Sequence, residues 1–348
     1  MTPFDVLKQR LYAEALARPE ELVLALRALH GDDAPAEPGL DFLDFYAIEW
    51  LDHAGWTVVD HAVAGGVLPQ IASAWPVDVR TAMWVVDGWE GDLVLLRDVA
   101  TEDEVAVHAP GLAAELPRRS VLRARVLRHE GRHVFSGEPD IWEPQGVLAR
   151  MDLHRAWVEG GEPALLEHLA SLRAGFRRQR EERDAFVRHF GTDEVVFADA
   201  DALGAALTRF VHALLNVYPM PSLGGRTRAS AHRAEKGADP HIVSWTLGPT
   251  LTGPGRPGVI YDAIEGVHFL PLFGEFRAHL LGVEDHPDVV HTYLDDPGIT
   301  RLPFRRVGGG DRLAALLGRP ETSLDALLDP YKPAGARAAP SVLPGYED

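Results

Sequence analysis

Cysteine is absent from this chain of 348 residues. Its absence excludes disulfide bonds, a thiol nucleophile and any zinc site ligated by cysteine, and a reducing cytoplasm would not harm the chain. The first residues lack the basic and then apolar run of a signal peptide, and no apolar run of about 18 residues follows. We therefore expect a soluble, cytoplasmic protein with no membrane-spanning segment.

Positive charge is also scarce. The chain has 34 lysine and arginine residues against 52 aspartate and glutamate residues, and its formal net charge is -18. Because phosphate binding needs clustered positive charge, this balance argues against a general nucleic-acid or anionic-membrane surface, while a local basic patch stays open. The G-x-S-x-G elbow, the Walker loop and the Rossmann glycine run are also missing, so the sequence assigns no cofactor.

The chain does contain a dense set of strand signals between residues 79 and 142. β-branched and large apolar residues fill short runs there, and glycine turns separate several of them. The runs are residues 82–86, 93–96, 104–108, 121–129 and 133–136. Because closure removes the exposed edges of so short a sheet, they predict a small antiparallel β-barrel or curled sheet. Trp84 is predicted to lie inside it, and Trp89, in a turn, to be exposed.

Helical patterns flank the strand region on both sides. Residues 1–78 predict an N-terminal helical region that begins with a capping box at Thr2 and Asp5. Residues 79–143 form the predicted barrel. Residues 144–331 predict a mainly helical C-terminal domain with a few strands, at 241–247, 258–264 and 268–270. A tail rich in proline and alanine, residues 332–348, is expected to fray. The fold class predicted from these patterns is α+β.

Several of these framework segments together resemble a known family. The segments are FLDFYAIEW at 42–50, AGWTVVD at 54–60, MWVV at 83–86, LLRDVAT at 95–101, LRARV at 122–126 and FSG at 135–137. They resemble a family of uncharacterised bacterial proteins, some of which carry a zinc-binding SEC-C tail, over about residues 40–145. The resemblance implies a fold of helices with a small β-barrel and carries no catalytic motif. Because the chain has no cysteine, the zinc site of the tail is not carried over.

The segment HEGRH at residues 129–133 matches the zinc-protease pattern of two histidines four residues apart. That chemistry needs both imidazoles on one face of a helix. Here the flanking residues alternate as in strands, and Glu130 with Gly131 fits a hairpin turn. We therefore predict that His129 and His133 flank a turn and bind no zinc.

One short stretch, Gly224 to Lys236, is strongly positive within this acidic chain. Glycine-freed backbone N–H groups and several cations in a loop could hold a phosphate or a carboxylate. The predicted ligand-binding residues are Arg226, Arg228, His232, Arg233 and Lys236. The alternative is a solvated surface loop without a ligand.

A second set of polar residues lies further along the chain. Asp262, Glu265 and His268 offer an acid, a base or metal ligands if they converge, but Gly266 lets the chain bend between them. His286 and His291 are five residues apart and lie on different sides of a helix. The sequence therefore assigns no metal site and no catalytic residue.

These observations leave the function class open. The leading hypothesis is a noncatalytic binding or adaptor protein, in which helices and barrel frame a groove for an acidic protein or a small anionic ligand. The alternative is a metal-dependent hydrolase that uses carboxylates and histidines of the C-terminal half. A third is an acidic mimic of nucleic acid. Stoichiometric, tightly bound metal would favour the enzyme, and a dry apolar surface patch would favour the adaptor.

Overall fold

The structure is a computed structural model and describes residues 2–31, 35, 38–112, 115–238, 240, 251–320, 322–332 and 340–341. The chain divides into two compact units, Met1–Arg173 (unit 1) and Ala174–Asp348 (unit 2). Helices and two small sheets make up the described residues, so the predicted α+β class is confirmed. No helix in these residues is long and apolar enough to cross a membrane.

Unit 1 begins with short helices whose starts are set by side-chain caps. Thr2 Oγ1 accepts a hydrogen bond from the backbone N–H of Asp5 (3.2 Å), and the Asp5 carboxylate accepts one from the N–H of Thr2. Thr57 and Asp60 repeat this capping box. The helices are α1 (Pro3–Leu16), α2 (Pro19–His30), α3 (Leu40–Ile48), α4 (Val58–Ala64) and α5 (Trp75–Asp78), with a 3₁₀ turn at Gln70–Ala74.

The strands of unit 1 form one curled sheet. They are β1 (Arg80–Glu90), β2 (Leu93–Asp98), β3 (Glu104–His108), β4 (Val121–His129), β5 (Arg132–Phe135) and β6 (Asp140–Trp142). Their order is β1-β2-β3-β5-β4-β6, and β1 also pairs with β4, so β1 to β5 form a ring of neighbours. The sheet is mixed, not wholly antiparallel as predicted, because β3 and β5 pair in parallel at Val107 and His133.

The inner face of the curled sheet is apolar. Trp84 is 1% exposed and packs with Ala82 and Val86, as predicted, and its indole N–H donates to the carbonyl of Ala124 (3.0 Å). Trp89 is exposed, also as predicted. Alternation along β1 and β4 therefore predicts the inner face correctly.

The outer face of β4 is buried as well. The alternating arginines on this face, Arg123 and Arg125, would instead predict exposure to solvent. Arg125 is 3% exposed because α3 covers this face, and acidic side chains of that segment contact the guanidinium. The Arg125 guanidinium lies 2.6 Å from Glu49 Oε1 and 2.9 Å from Asp41 Oδ1. A buried guanidinium needs such partners, since desolvation without them would cost several kcal/mol.

Two further helices, α6 (Val147–Glu159) and α7 (Glu162–Phe190), follow the curled sheet. The first part of α7 packs on the helical core of unit 1 through Leu169, and Arg173 donates to the carbonyl of Pro76. The boundary between the units falls inside α7, directly after Arg173. The domain boundaries that the sequence suggests at 78/79 and 143/144 stay predictions.

Unit 2 contains a three-stranded antiparallel sheet and several helices. The sheet order is β7 (Glu194–Val196), β8 (Gly258–Asp262) and β9 (Gly266–Leu270). The helices are α8 (Ala200–Asn216), α9 (Arg228–Lys236), α10 (Phe273–Leu280), α11 (Pro287–Asp295), α12 (Leu302–Val307), α13 (Gly310–Leu316) and α14 (Leu324–Leu328). The predicted strand at residues 241–247 and most of the predicted tail 332–348 lie outside the described residues.

Candidate functional site

A groove of about 650 Å³ opens in unit 1 between the start of α1 and the curled sheet. Three separate stretches of chain line it: residues 2–5, residues 108–112 after β3, and residues 129–135 of the hairpin formed by β4 and β5. Its volume falls within the range of about 300–1,000 Å³ that is usual for small-molecule sites.

The β4–β5 hairpin places two of the polar side chains in the groove. Glu130 and Gly131 have φ angles of 49° and 80°, the left-handed pair that a two-residue hairpin turn requires. The turn pairs His129 with Arg132 across the strands, while His133 pairs with Arg128. The prediction that His129 and His133 flank a hairpin turn is confirmed, and His129 and Arg132, not the two histidines, line the groove.

The floor of the groove is aromatic and aliphatic. Phe4, Val134 and Phe135 line it, and each is half-buried. The imidazole of His129 contacts the rings of Phe4 (5.0 Å) and Trp75 (5.6 Å), and its Nδ1 is buried without a hydrogen-bond partner among the described residues. Such a floor removes the apolar part of a ligand from water.

Positive charge at the groove comes from Arg132. Arg132 is exposed, and neither its side chain nor that of His108 forms a hydrogen bond or an ion pair in the described part of the chain. Asp5 already receives the Thr2 N–H, so its carboxylate is engaged in the helix cap. That carboxylate already compensates the N-terminal dipole of α1, and Glu130 is a second acid of the lining, so an anion is favoured only beside Arg132. The arrangement can therefore bind an acidic group beside an apolar surface.

A second constellation, beneath α1, has the composition of a catalytic site but no access for a substrate. Lys8 contacts the Asp44 carboxylate and lies 2.9 Å from Ser136 Oγ. Tyr12 donates to Asp44 Oδ1 (2.8 Å), and Ser136 donates to Asp44 Oδ2 (3.2 Å). Burial lowers the pKa of Lys8, as in lysines that activate a serine.

Its burial assigns this constellation to the fold. Lys8 is 6% exposed, Ser136 2% and Asp44 0%, so a substrate cannot reach the hydroxyl. Gly137, at a φ of 90°, lies against the Asp44 carboxylate, which would meet any side chain at this position. The ion pair ties α1 to α3 and to the chain after β5.

The set Asp262, Glu265 and His268 does not converge on a metal position. The Asp262 carboxylate accepts the backbone N–H of Ile264 (2.8 Å) and the guanidinium of Arg306 (2.8 Å). Burial opposes ionisation of Asp262, but these hydrogen bonds outweigh it and lower its pKa. His268 Nε2 is 3.6 Å from Glu265 Oε2, and burial lowers the pKa of His268. Among the described residues, this set does not bring three donors close enough together for a metal.

The stretch from Gly224 to Lys236 is mostly helical, which corrects the predicted loop. Thr227 caps α9 by accepting the backbone N–H of Ser230 (3.2 Å), so polar composition was mistaken for irregular structure. Arg228 faces inward, is 3% exposed and contacts the buried carboxylate of Glu182. In this position Arg228 stabilises the packing of unit 2 and does not face solvent.

The other predicted ligand-binding residues lie at or near the surface. Arg226 Nε donates to the carbonyl of Leu223 (3.0 Å), and His232 Nδ1 lies 3.1 Å from the carbonyl of Ala238. The side chains of Arg226, Arg233 and Lys236 are exposed. Anion binding by these residues stays a prediction.

Sequence reasoning missed the groove although it identified the hairpin. The turn signal at Glu130 and Gly131 indicated that His129 and Arg132 are neighbours. Nothing local indicated that Phe4 packs against them, because that contact joins segments far apart in the chain. Comparison with protein-family models, with curated proteins and with solved structures gives no match. The family resemblance over residues 40–145 therefore stays a prediction.

Proposed function

We propose that this chain is a noncatalytic binding protein whose groove takes a small amphipathic anion. The observation that carries the proposal is the groove of about 650 Å³, in which an apolar floor adjoins Arg132, whose guanidinium has no partner among the residues that the structure describes. The ligand class is a molecule with an aromatic or aliphatic body and one carboxylate or sulfonate group.

The floor and the charge act on different parts of such a ligand. Phe4 and Phe135 cover the apolar body, where each Å² removed from water contributes about 25 cal/mol. Arg132 faces the acidic group, and a hydrogen bond to a charged group contributes about 1.5–3 kcal/mol. Glu130 is exposed at the turn and disfavours a ligand with a second anionic group near it.

Binding without catalysis fits the side chains that line the groove. Thr2 and Asp5, which line the groove, are engaged in the helix cap, and among the described residues no hydrogen bond joins Thr2 to His108 or His129 as a nucleophile would be joined to its base. We keep the cytoplasm as the expected location, and a metal-dependent hydrolase as the alternative. A ligand that is chemically unchanged after long incubation supports binding, whereas turnover supports the alternative.

The test is a titration of the full chain with an anilinonaphthalene sulfonate, whose fluorescence rises in apolar sites. Arg132→Gln should weaken its binding by about ten-fold or more, because one charge-assisted hydrogen bond is lost. The matched control is Arg128→Gln, since Arg128 is an exposed arginine of the same hairpin and does not line the groove. Equal binding by both variants would show that the groove does not hold the anion.

A further inference from the structure

Donor atoms of Glu21, Asp52 and His53 come together on another part of unit 1. One carboxylate oxygen of each acid and one imidazole nitrogen of His53 all lie within 4.8 Å of one another. Glu21 lies in the first turn of α2, and Asp52 with His53 follows the end of α3. Chain packing therefore brings together side chains that are about 30 residues apart in sequence.

The turn after α3 holds Asp52 in a fixed position. Asp52 Oδ1 accepts the backbone N–H groups of Ala54 (2.8 Å) and Trp56 (2.9 Å). Asp52 Oδ2 lies 2.7 Å from Nε2 of His61, which is on α4. Gly55 has a φ of 71° and allows the chain to fold back over the carboxylate. Hydrogen bonds of this kind orient carboxylates that bind metals.

The charges around this cluster are unlike those around the other buried acids of unit 1. Asp44, Glu49 and Asp98 each pair with a lysine or an arginine. Within the described residues, neither Glu21 nor Asp52 has such a partner, although Asp52 is only 9% exposed. Two carboxylates so close together favour a bound cation, because like charges at this distance repel each other.

Glu21 also lies against a buried hydroxyl. Its Oε2 is 3.5 Å from the hydroxyl of Tyr46, which is 1% exposed. The Tyr46 hydroxyl donates to this carboxylate and holds Glu21 in place.

We propose that Glu21, Asp52 and His53 form a site for a divalent cation of the zinc class. Two carboxylate oxygens and one imidazole nitrogen are a donor set that suits zinc, and three protein ligands leave a fourth position to water. His61 positions Asp52 through its second oxygen. The site joins α2 to the turn between α3 and α4, and it does not rest on the groove ligand proposed above.

The experiment is calorimetric titration of the chelator-treated full chain with zinc chloride. We expect one tight equivalent, and at least a ten-fold loss of affinity in Glu21→Gln and in His53→Asn. The matched controls are Glu20→Gln and His168→Asn, because both residues are exposed and lie outside the cluster. Both should bind zinc as the unmodified chain does.

A second readout uses cobalt chloride, whose visible absorption reports tetrahedral coordination. The band should appear with the unmodified chain and disappear in His53→Asn, whose fold is checked by circular dichroism. The proposal is wrong if the chain takes up no zinc or cobalt. It is also wrong if His53→Asn binds the metal as tightly as His168→Asn does.

Discussion

Replacing Lys8 by methionine tests the role of the buried ion pair in unit 1. The substitution keeps the length and apolar stem of the side chain and removes only its charge. Asp44, which is 0% exposed, would then keep the hydroxyls of Tyr12 and Ser136 but lose its cation. Leaving one member of a buried ion pair uncompensated costs about 3–5 kcal/mol. We expect Lys8→Met to lower the free energy of unfolding of unit 1 by that amount.

The double variant Lys8→Met/Asp44→Asn should recover part of this loss. Asparagine keeps hydrogen-bonding capacity toward Tyr12 and Ser136 but carries no charge, so no unpaired ion remains. Non-additivity of about 1–3 kcal/mol is typical for residues in direct contact. The expected order of stability is therefore unmodified chain, then double variant, then Lys8→Met.

The unmodified chain has a pH dependence of stability that Lys8→Met should lack. Burial lowers the pKa of Lys8, so between that lowered value and about 10.4 the unfolded state binds more protons and stability rises with pH. Methionine does not titrate, so the unfolding free energy of Lys8→Met should rise less than that of the unmodified chain between pH ~8 and pH ~10.

The assay is urea unfolding followed by tryptophan fluorescence. All tryptophans except Trp245 lie in unit 1, so the signal reports on that unit. A loss below about 1 kcal/mol for Lys8→Met would refute the reasoning, because it is the size expected of an exposed pair. A double variant less stable than the single variant would refute it as well.

Three further predictions concern other residues. Trp84→Ala should lower the free energy of unfolding by about 3–5 kcal/mol, because the indole is 1% exposed in the curled sheet; a urea midpoint that barely moves would contradict this burial. Replacing His129 and His133 together by alanine should leave the zinc content of the purified protein unchanged. A loss of zinc in metal analysis would contradict the prediction that these histidines bind no zinc. Alanine at both Arg226 and Arg233 should weaken the binding of inorganic phosphate at low salt by about ten-fold or more. If calorimetry gives the double variant the same affinity as the unmodified chain, these arginines do not bind the anion.

Local chemistry explains what the sequence predicted well. Thr2 and Asp5 form the expected capping box, and Glu130 with Gly131 forms the expected hairpin turn, because each depends on neighbours in the chain. Alternation in β1 likewise places Trp84 on the inner face. Each of these three features depends on residues that are only a few positions apart in the chain.

The burial of charged residues depends on packing between distant segments. Lys8 lies on the buried face of α1 together with Leu11 and Ala15. Their helical spacing in the sequence indicates that Lys8 shares this buried face. Arg125 carried no such signal, because an alternating strand does not show that a helix covers its outer face. The parallel pairing of β3 with β5 is likewise a contact that no periodicity reveals.

The groove could be predicted only in part. The hairpin signal brings His129 and Arg132 together, but the floor needs Phe4 from the start of α1 and Phe135 from β5. Three segments must meet before a concave surface exists, and no single run of sequence records that meeting. The burial of Arg228 is another such contact, because Glu182, which holds it away from solvent, lies on α7 and far from it in the chain.

A crystal structure of the complex with the anilinonaphthalene sulfonate tests the binding proposal most directly. The proposal predicts the aromatic rings against Phe4 and Phe135, with the sulfonate within hydrogen-bond reach of Arg132. The backbone should move little, since most small-molecule sites are largely preformed. Ligand density elsewhere on the chain, with the groove between α1 and the curled sheet left empty, would contradict the proposal.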